Sequence, residues 1–348
     1  TRTLVVLMVG AALLVPGCSD DGQSSVKDLG PGCDPNATDW TVWVTNQGIG
    51  VDTVTVFRNH GDEQVSAEIL KEIPVARGPH NLTFSPDRSR AYVACLGDGT
   101  APGSVTVIDT ATLAVIATVP AGVKTHGVAV TPDGHWIWAA NVHDNNITVI
   151  NADTLVAEPN TIAVGKGPAL AAFLPDGSKA YVSNGTDGTT SVIDVATRTV
   201  TKTITTGAGA MGLRVRQDGR YLFETEGGDD RVSVIDTSTD SVVSVITFDA
   251  TLKEPHGIAL AGWDLLITAR TGNSLSFVDT RTFERTGAIA VPGRPDIIGV
   301  APNCDRAYLT LRDVAGVAVV DLADKRYLDV IGFGQGDLHG IAVLPGGH

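Results

Sequence analysis

The sequence predicts an all-β fold, a seven-bladed β-propeller with four-stranded blades, closed by pairing of the C-terminal strand with the N-terminal blade. Three observations predict it. Similar segments recur seven times at a near-constant interval, each interval holds four alternating segments separated by turn residues, and the two chain ends carry complementary parts of one repeat. Residues 40–348 form a single propeller domain in this prediction.

The repeated segments are short apolar strands that mostly end in Asp or Asn. They are VTVFR (54–58), VTVID (105–109), ITVIN (147–151), SVID (191–194), VSVID (232–236), LSFVD (275–279) and VAVVD (317–321). From Asp109 onward their last residues step by 42 or 43 positions, and only the interval from Arg58 to Asp109 is longer, at 51. A fixed period of this length is typical of one propeller blade.

Four segments in each period correspond to strands A to D, from the innermost to the outermost. Pro-Asp-Gly at 132–134 and 175–177 supplies the turn between strands A and B. The Asp of VID is expected to bond the backbone of the C–D turn. Residues 40–46 have the pattern of a strand B without a strand A, and the chain finishes from His339 as a strand A without a strand B. Pairing these two ends completes one blade and removes an open sheet edge.

Three of the strand pairs carry a recognisable motif. SPDRSRAYVAC (85–95), TPDGHWIWAAN (131–141) and LPDGSKAYVSN (174–184) resemble the YVTN repeats of YncE-like propellers, which are found among bacterial surface and periplasmic proteins. The resemblance covers roughly residues 40 to 348 and implies the fold. It leaves open whether the protein is an enzyme, because propellers host binders, hydrolases, lyases and redox proteins on one scaffold.

The first residues have the pattern of an export signal. An apolar run from Leu4 to Val15 is too short to span a bilayer and is placed like a signal-peptide core, although a transmembrane segment remains an alternative. Val15-Pro16-Gly17-Cys18 resembles a bacterial lipobox, which implies a lipoprotein signal peptide over 1–17 and a lipidated Cys18. Residues 18–39 are predicted to be a flexible tether. Ser19 favours the outer membrane of a Gram-negative bacterium, on either its periplasmic or its surface side.

Charge and motif content restrict the function. The formal net charge is −14 at pH 7, and no run of Lys or Arg offsets it, which argues against nucleic acid as a partner. The only predicted membrane contact is the lipid anchor. GxSxG, HExxH, CxxCH and Walker A motifs are absent from the sequence, so covalent c-type haem is excluded.

Histidine is concentrated at one position of the repeat. Strand A of every blade starts at the same mouth of the central channel, and the seven starting residues are His80, His126, Ala169, Met211, His256, Asp296 and His339. Imidazole and carboxylate groups are ligands for Zn or Cu, so His80, His126, His256, Asp296 and His339 are candidate metal ligands, with Cys95 and Met211 as weaker ones. Alternatively, each imidazole bonds the backbone of the neighbouring blade. Non-covalent haem, as in the related haem d1 propellers, would need an axial histidine from the same ring.

The same face carries the ends of the B strands and one of the cysteines. We interpret most of these end residues as loop-forming: Asn46, Cys95, Asn141, Asn184, Glu226, Arg270 and Arg312. Cys33 and Cys304 are both expected on the opposite face, so we expect a disulfide between them and a free Cys95.

Three functions are therefore compatible with the sequence. The leading hypothesis is a lipid-anchored extracytoplasmic binding module that presents its D–A and B–C loops to a protein or small molecule. The alternative is a metal carrier or metalloenzyme with Zn or Cu at the channel mouth. The third is a metal-free lactonase or lyase.

Overall fold

The computed structural model of the protein describes residues 30–48, 50–59, 65–247, 253–334 and 336–346. These residues form 29 β-strands in seven antiparallel sheets, and the described part contains no helix. The proposed signal peptide and Cys18 lie outside the described residues. No helix that is long and apolar enough to cross a membrane was found among the described residues.

Each sheet is one blade, and blade 1 joins the two ends of the chain. From the innermost strand outwards, blade 1 contains β29 (Asp337–Pro345), β1 (Trp40–Gln47), β2 (Thr53–Asn59) and β3 (Ala67–Pro74). Blade 2 contains β4 (Pro79–Phe84), β5 (Arg90–Cys95), β6 (Pro102–Asp109) and β7 (Ala114–Val123). Blade 3 contains β8 (Thr125–Val130), β9 (Trp136–Asn141), β10 (Asn146–Asn151) and an outer strand in two pieces, β11 (Val156–Ala157) and β12 (Ile162–Ala163).

The remaining blades repeat the pattern without interruption. Blade 4 contains β13 (Pro168–Phe173), β14 (Lys179–Asn184), β15 (Thr189–Asp194) and β16 (Thr199–Thr205). Blade 5 contains β17 (Ala210–Val215), β18 (Tyr221–Glu226), β19 (Arg231–Asp236) and β20 (Ser241–Thr247). Blade 6 contains β21 (Pro255–Ala261), β22 (Asp264–Ala269), β23 (Ser274–Asp279) and β24 (Arg285–Ala290). Blade 7 contains β25 (Pro295–Val300), β26 (Arg306–Leu311), β27 (Gly316–Asp321) and β28 (Arg326–Gly332).

The seven innermost strands contact one another in a closed ring around the channel. The core lies between neighbouring blades, where B and C strands bury alternating apolar side chains. Large B-strand rings such as Tyr92, Tyr181 and Tyr308 are almost completely buried there. The Tyr308 hydroxyl accepts a hydrogen bond from Trp40 Nε1 at 3.0 Å, which satisfies a polar atom inside the core. The fold class predicted from the repeat is thus confirmed.

The C–D turns form as the sequence predicts. The Asp109 carboxylate accepts hydrogen bonds from the backbone N–H of Thr112 at 2.7 Å and from its hydroxyl at 2.8 Å. Asp194 makes the equivalent two bonds to Thr197. These bonds to the ionised form lower the pKa of both carboxyl groups. The aspartates that end the C strands are therefore turn residues.

The C-terminal strand closes the ring as expected. Strand β29 pairs with β1 from Trp40 opposite Pro345 to Gln47 opposite Asp337. Because β29 is the innermost strand of blade 1, the two ends of the chain are held in one sheet. Strand β29 thereby covers the edge of β1 that would otherwise be left unpaired.

An N-terminal strap, residues 30–36, lies on the face of the A–B turns. Gly30 packs against Trp263 and Gly32 against Gln217, both of them turn residues. Cys33 forms a disulfide with Cys304, which confirms the expected pairing, and Asp34 N–H donates to the carbonyl of Pro302 at 2.8 Å. The end of the predicted tether is therefore attached to the propeller by a covalent bond.

Removing the disulfide is expected to lower stability measurably. The bond joins residues 271 positions apart, and disulfides of this kind typically contribute about 2–4 kcal/mol. Cys33→Ser combined with Cys304→Ser should lower the free energy of unfolding by that amount in denaturant titrations. A reducing agent should shift the wild-type midpoint towards that of the variant and leave the variant unchanged. Identical midpoints for both proteins would contradict the expectation.

Candidate functional site

The candidate ligands near the start of the A strands converge at one channel mouth. The ring centroid of His80 is 3.5 Å from that of His339 and 3.9 Å from that of His126. Asp296 lies beside two further imidazole nitrogens, with Oδ1 3.2 Å from His256 Nε2 and Oδ2 3.4 Å from His339 Nε2. The five residues singled out by the sequence thus form one group, which we call the axial cluster. Four of its members are buried, with Asp296 0% exposed, and only His126 is partly exposed.

Glycine allows the strand starts to approach this closely. A glycine follows the starting residue in four blades, and in each case the backbone of the next blade packs against it. A Cβ atom at Gly257 would lie 2.1 Å from the Asp296 carbonyl, and one at Gly340 would lie 2.2 Å from the His80 carbonyl. The His-Gly dipeptide therefore reflects packing between blades at the channel mouth.

Hydroxyl groups tie five blades together at this level. In each case a Thr or Ser near the end of strand B donates to the carbonyl of the next blade's starting residue. The pairs are Thr45 to His80 (2.7 Å), Ser183 to Met211 (2.8 Å), Thr225 to His256 (2.8 Å), Thr268 to Asp296 (2.5 Å) and Thr310 to His339 (2.7 Å).

The other two blades carry alanine at that position, Ala94 and Ala140, and histidines replace the missing hydroxyls. His80 Nδ1 lies 3.1 Å from the carbonyl of His126, and His126 Nδ1 lies 3.2 Å from the carbonyl of Ala169. A carbonyl only accepts, so both Nδ1 atoms are protonated and each neutral ring keeps its lone pair on Nε2. For these two histidines the geometry favours the alternative that the imidazole bonds the neighbouring blade's backbone.

Two arginines complete the site, and Arg270 and Arg312 are exceptions to the interpretation that most of the B-strand ends are loop-forming. Arg270 Nη2 lies 2.6 Å from Asp296 Oδ1 and 2.7 Å from His256 Nε2, and Arg270 Nε donates to the same carboxylate oxygen at 2.7 Å. Arg312 Nη1 lies 3.8 Å from Asp296 Oδ2 and 3.0 Å from Asp337. The signal was present in the sequence, because these are the only cations in the set of B-strand ends.

The protonation states follow from burial and from these contacts. A guanidinium always donates, so His256 Nε2 is an acceptor. Burial lowers the pKa of His80, His256 and His339 well below its ordinary value and lowers that of His126 to about 4. Burial also raises the pKa of Asp296, against the influence of the two arginines. At neutral pH the site holds four neutral imidazoles around one carboxylate and its guanidinium partners.

Two buried polar atoms in the axial cluster lack a hydrogen-bond partner among the described residues. They are Asp296 Oδ2 and His339 Nδ1. Buried polar atoms are nearly always satisfied by protein, water or a bound molecule. The Arg270 and Arg312 side chains, 18% and 25% exposed, mark the side from which solvent reaches the cluster.

The fit of the cluster to a metal ion is incomplete. His256, Asp296 and His339 each offer a ligand atom, and these atoms lie within 4.8 Å of one another, the one such group in the described part of the chain. Their donor types suit Zn or Cu, whose ligands lie about 3–4 Å apart around the ion. The Arg270 guanidinium, however, already contacts Asp296 Oδ1 and His256 Nε2, so a second cation would have to displace it.

The two weaker candidates lie outside this group of three. The Cys95 thiol is buried in an apolar core and lies 3.5 Å from the Thr106 hydroxyl, and burial raises its pKa to about 11. A protonated thiol is a poor metal ligand. The Met211 backbone carbonyl accepts the Ser183 hydroxyl. His143, near the same face, is exposed.

Comparisons with known proteins identify the fold but point to no single activity. A sequence model described as "YNCE-like beta-propeller" matches residues 71–346, and no curated protein matches the sequence. Solved structures with a similar fold include hydrazine synthase of Kuenenia stuttgartiensis, with 19% identity over 76% of this chain and 89% of that one and a TM-score of 0.67.

Two other similar structures carry lactonase names. The periplasmic gluconolactonase of Pseudomonas aeruginosa is 17% identical over 88% of this chain and 99% of that one, with a TM-score of 0.76. A putative 6-phosphogluconolactonase of Bacteroides fragilis is 17% identical over 88% of this chain and 98% of that one, with a TM-score of 0.73.

Proposed function

The chain belongs to the YNCE-like beta-propeller family, and from that premise we propose that it is a lipid-anchored extracytoplasmic propeller that binds a small, hydroxyl-bearing molecule at the axial cluster. The observation that carries this proposal is that two buried atoms of the axial cluster, Asp296 Oδ2 and His339 Nδ1, lack a hydrogen-bond partner among the described residues. A ligand hydroxyl would donate to the carboxylate, and further ligand groups would bond the imidazoles. The D–A and B–C loops surround this mouth and would determine which ligand enters.

The surrounding groups suit recognition of a polar molecule. Arg270 fixes the Asp296 carboxylate through Oδ1 and leaves Oδ2 for the ligand. The imidazoles are neutral, so they add hydrogen-bonding groups without adding charge. The lipid anchor and the outer-membrane location are supported by the lipobox-like residues 15–18 and by Ser19.

Calorimetric titration tests this binding site. The probes are glucose, gluconate and glucono-1,5-lactone, added to protein purified without a histidine tag. Asp296→Asn should weaken the best-bound probe roughly ten- to hundredfold, because it removes a charge-assisted hydrogen bond. Asp133→Asn, on the opposite face, is the matched control and should bind as the wild type does. Equal affinities for Asp296→Asn and the wild type would contradict the proposal.

Lactone hydrolysis is a second candidate, and His126 favours it. This imidazole is neutral, partly exposed and keeps its lone pair on Nε2, so it could take a proton from a water molecule attacking the lactone carbonyl. The ring C–O bond would then break, and the proton would pass to the departing alkoxide. The fold likeness to two proteins named as lactonases agrees with this reaction.

The same preparation separates the candidates. Hydrolysis of glucono-1,5-lactone is followed by the base needed to neutralise the acid formed. A rate above the spontaneous one that is lost in His126→Gln would support hydrolysis. Elemental analysis that finds one equivalent of Zn or Cu, lost in His256→Ala with His339→Ala, would support the metal alternative instead. Binding without turnover or metal is the result expected from the first proposal.

A further inference from the structure

The central channel has an unusual lining halfway along the A strands. Each A strand has the starting residue that the repeat predicts, such as His80 in blade 2. The residue three positions after it borders a cavity of about 580 Å³ in every blade. In six blades this residue is small, and in blade 5 it is arginine. The seven residues are Thr83, Ala129, Ala172, Arg214, Ala259, Gly299 and Ala342.

Among the described residues that line this cavity, Arg214 is the only charged one. Its Nη2 donates to the carbonyl of Ile258 at 3.4 Å, a long hydrogen bond, and it forms no ion pair within the described part of the chain. Although the side chain is exposed to the interior of the channel, protein surrounds it, and this desolvation lowers its pKa. Arg214 has one long hydrogen bond and no carboxylate partner among the described residues, so its guanidinium can pair with an anion that enters the channel.

We propose that this cavity, called the chamber below, binds a small organic carboxylate with an apolar body, held by Arg214. A guanidinium matches a carboxylate through two parallel hydrogen bonds. The six small side chains leave room beside it, and the cavity volume lies in the range of small-molecule sites. Four of the six are alanines, Ala129, Ala172, Ala259 and Ala342, and their methyl groups offer apolar contacts that an inorganic anion would leave unused.

The chamber is separate from the axial cluster. The cavity extends to Pro132 and Gln217, which belong to A–B turns, whereas the axial cluster lies at the other end of the A strands. Entry is therefore from the A–B face, beside the strap residue Gly32 that packs on Gln217. This inference does not depend on the function proposed for the axial cluster.

Calorimetric titration with hexanoate, and with inorganic phosphate for comparison, tests the chamber. The wild type should bind one equivalent of hexanoate, and phosphate should bind more weakly. Arg214→Met, which keeps the volume and removes the charge, should weaken hexanoate binding roughly ten- to hundredfold. Arg214→Lys should retain part of the affinity. Unchanged binding by Arg214→Met, no binding by the wild type, or tighter binding of phosphate than of hexanoate would overturn the proposal.

Thermal melting adds a readout that does not require a titration. The ligand-free Arg214→Met variant should melt close to the wild type, because the exposed Arg214 side chain forms a single long hydrogen bond. Hexanoate should raise the melting temperature of the wild type and leave that of the variant unchanged. Asp296→Asn should retain hexanoate binding, so failure at the axial cluster and failure at the chamber give different results. A variant that melts below the wild type and still responds to hexanoate would refute the role of Arg214.

Discussion

Deletion of residues 337–348 is expected to abolish the folded propeller. The deletion removes the inner strand of blade 1 and exposes the edge of β1. It also removes Leu338, Ile341 and Leu344 from two core clusters. At about 1.5–3 kcal/mol for each buried aliphatic side chain, the loss is roughly 5–9 kcal/mol before backbone pairing is counted. That is as large as the whole stability of a typical domain.

Circular dichroism melting and soluble yield are the measurements for this deletion. Removal of residues 346–348 alone is the matched control, since it keeps all of β29 and should melt within a few degrees of the wild type. An intact cooperative transition in the longer deletion would show that closure by β29 is unimportant.

Acidification from pH 7 to pH 5 is expected to destabilise the protein by roughly 4–8 kcal/mol. The four histidines of the axial cluster have folded-state pKa values below 6.5, so the unfolded chain takes up protons first as the pH falls. The contribution of these histidines to the free energy of unfolding is complete above about pH 6.5. It is lost as the pH falls towards the folded-state pKa, which is about 4 for His126. Each pKa unit corresponds to about 1.4 kcal/mol, so up to about 2 kcal/mol per histidine is lost by pH 5.

Buried Glu224 acts in the opposite direction and must be removed from the comparison. Burial raises its pKa to about 8. The contribution of Glu224 to the free energy of unfolding is therefore present below the pKa of the unfolded state and is lost as the pH rises through 8. Glu224→Gln keeps an acceptor for the Thr190 hydroxyl and eliminates this titration. In that background, the stability measured in denaturant at pH 7, 6 and 5 reports mainly on the histidines.

Substitution of His80 and His339 by Gln in the Glu224→Gln background should reduce the loss between pH 7 and pH 5 by about half. Glutamine cannot be protonated in this range, and two of the four imidazoles of the axial cluster are then gone. A pH dependence equal to that of the background protein would show that these two rings are already solvated in the folded state.

The fold could be predicted from the sequence because the blade period, the turn residues and the orphan end strands all specify the same ring. The convergence of His80, His126, His256, Asp296 and His339 could also be predicted, since the start of strand A is a fixed place in every propeller. The positions of the long Arg270 and Arg312 side chains could not, because a flexible side chain at a strand end can turn towards solvent or towards the axis. Contact with Asp296 decides between these orientations.

Two other features required the structure. The outer strand of blade 3 is split, and Pro159, which lacks a backbone donor, lies in the break between β11 and β12. Arg214 lies in a segment with an ordinary strand pattern. Its isolation is visible only when all seven inner strands are compared at the level of the cavity.

The strap also determines the face of the propeller from which the preceding chain leaves. Gly30, the first described residue, lies against Trp263 on the A–B face, so the preceding chain is attached on that side. Eleven residues separate Cys18 from Gly30, a reach of about 40 Å when fully extended. If Cys18 carries the proposed lipid, the Arg214 chamber opens on the face that bears the tether, and the histidines lie at the opposite mouth of the channel.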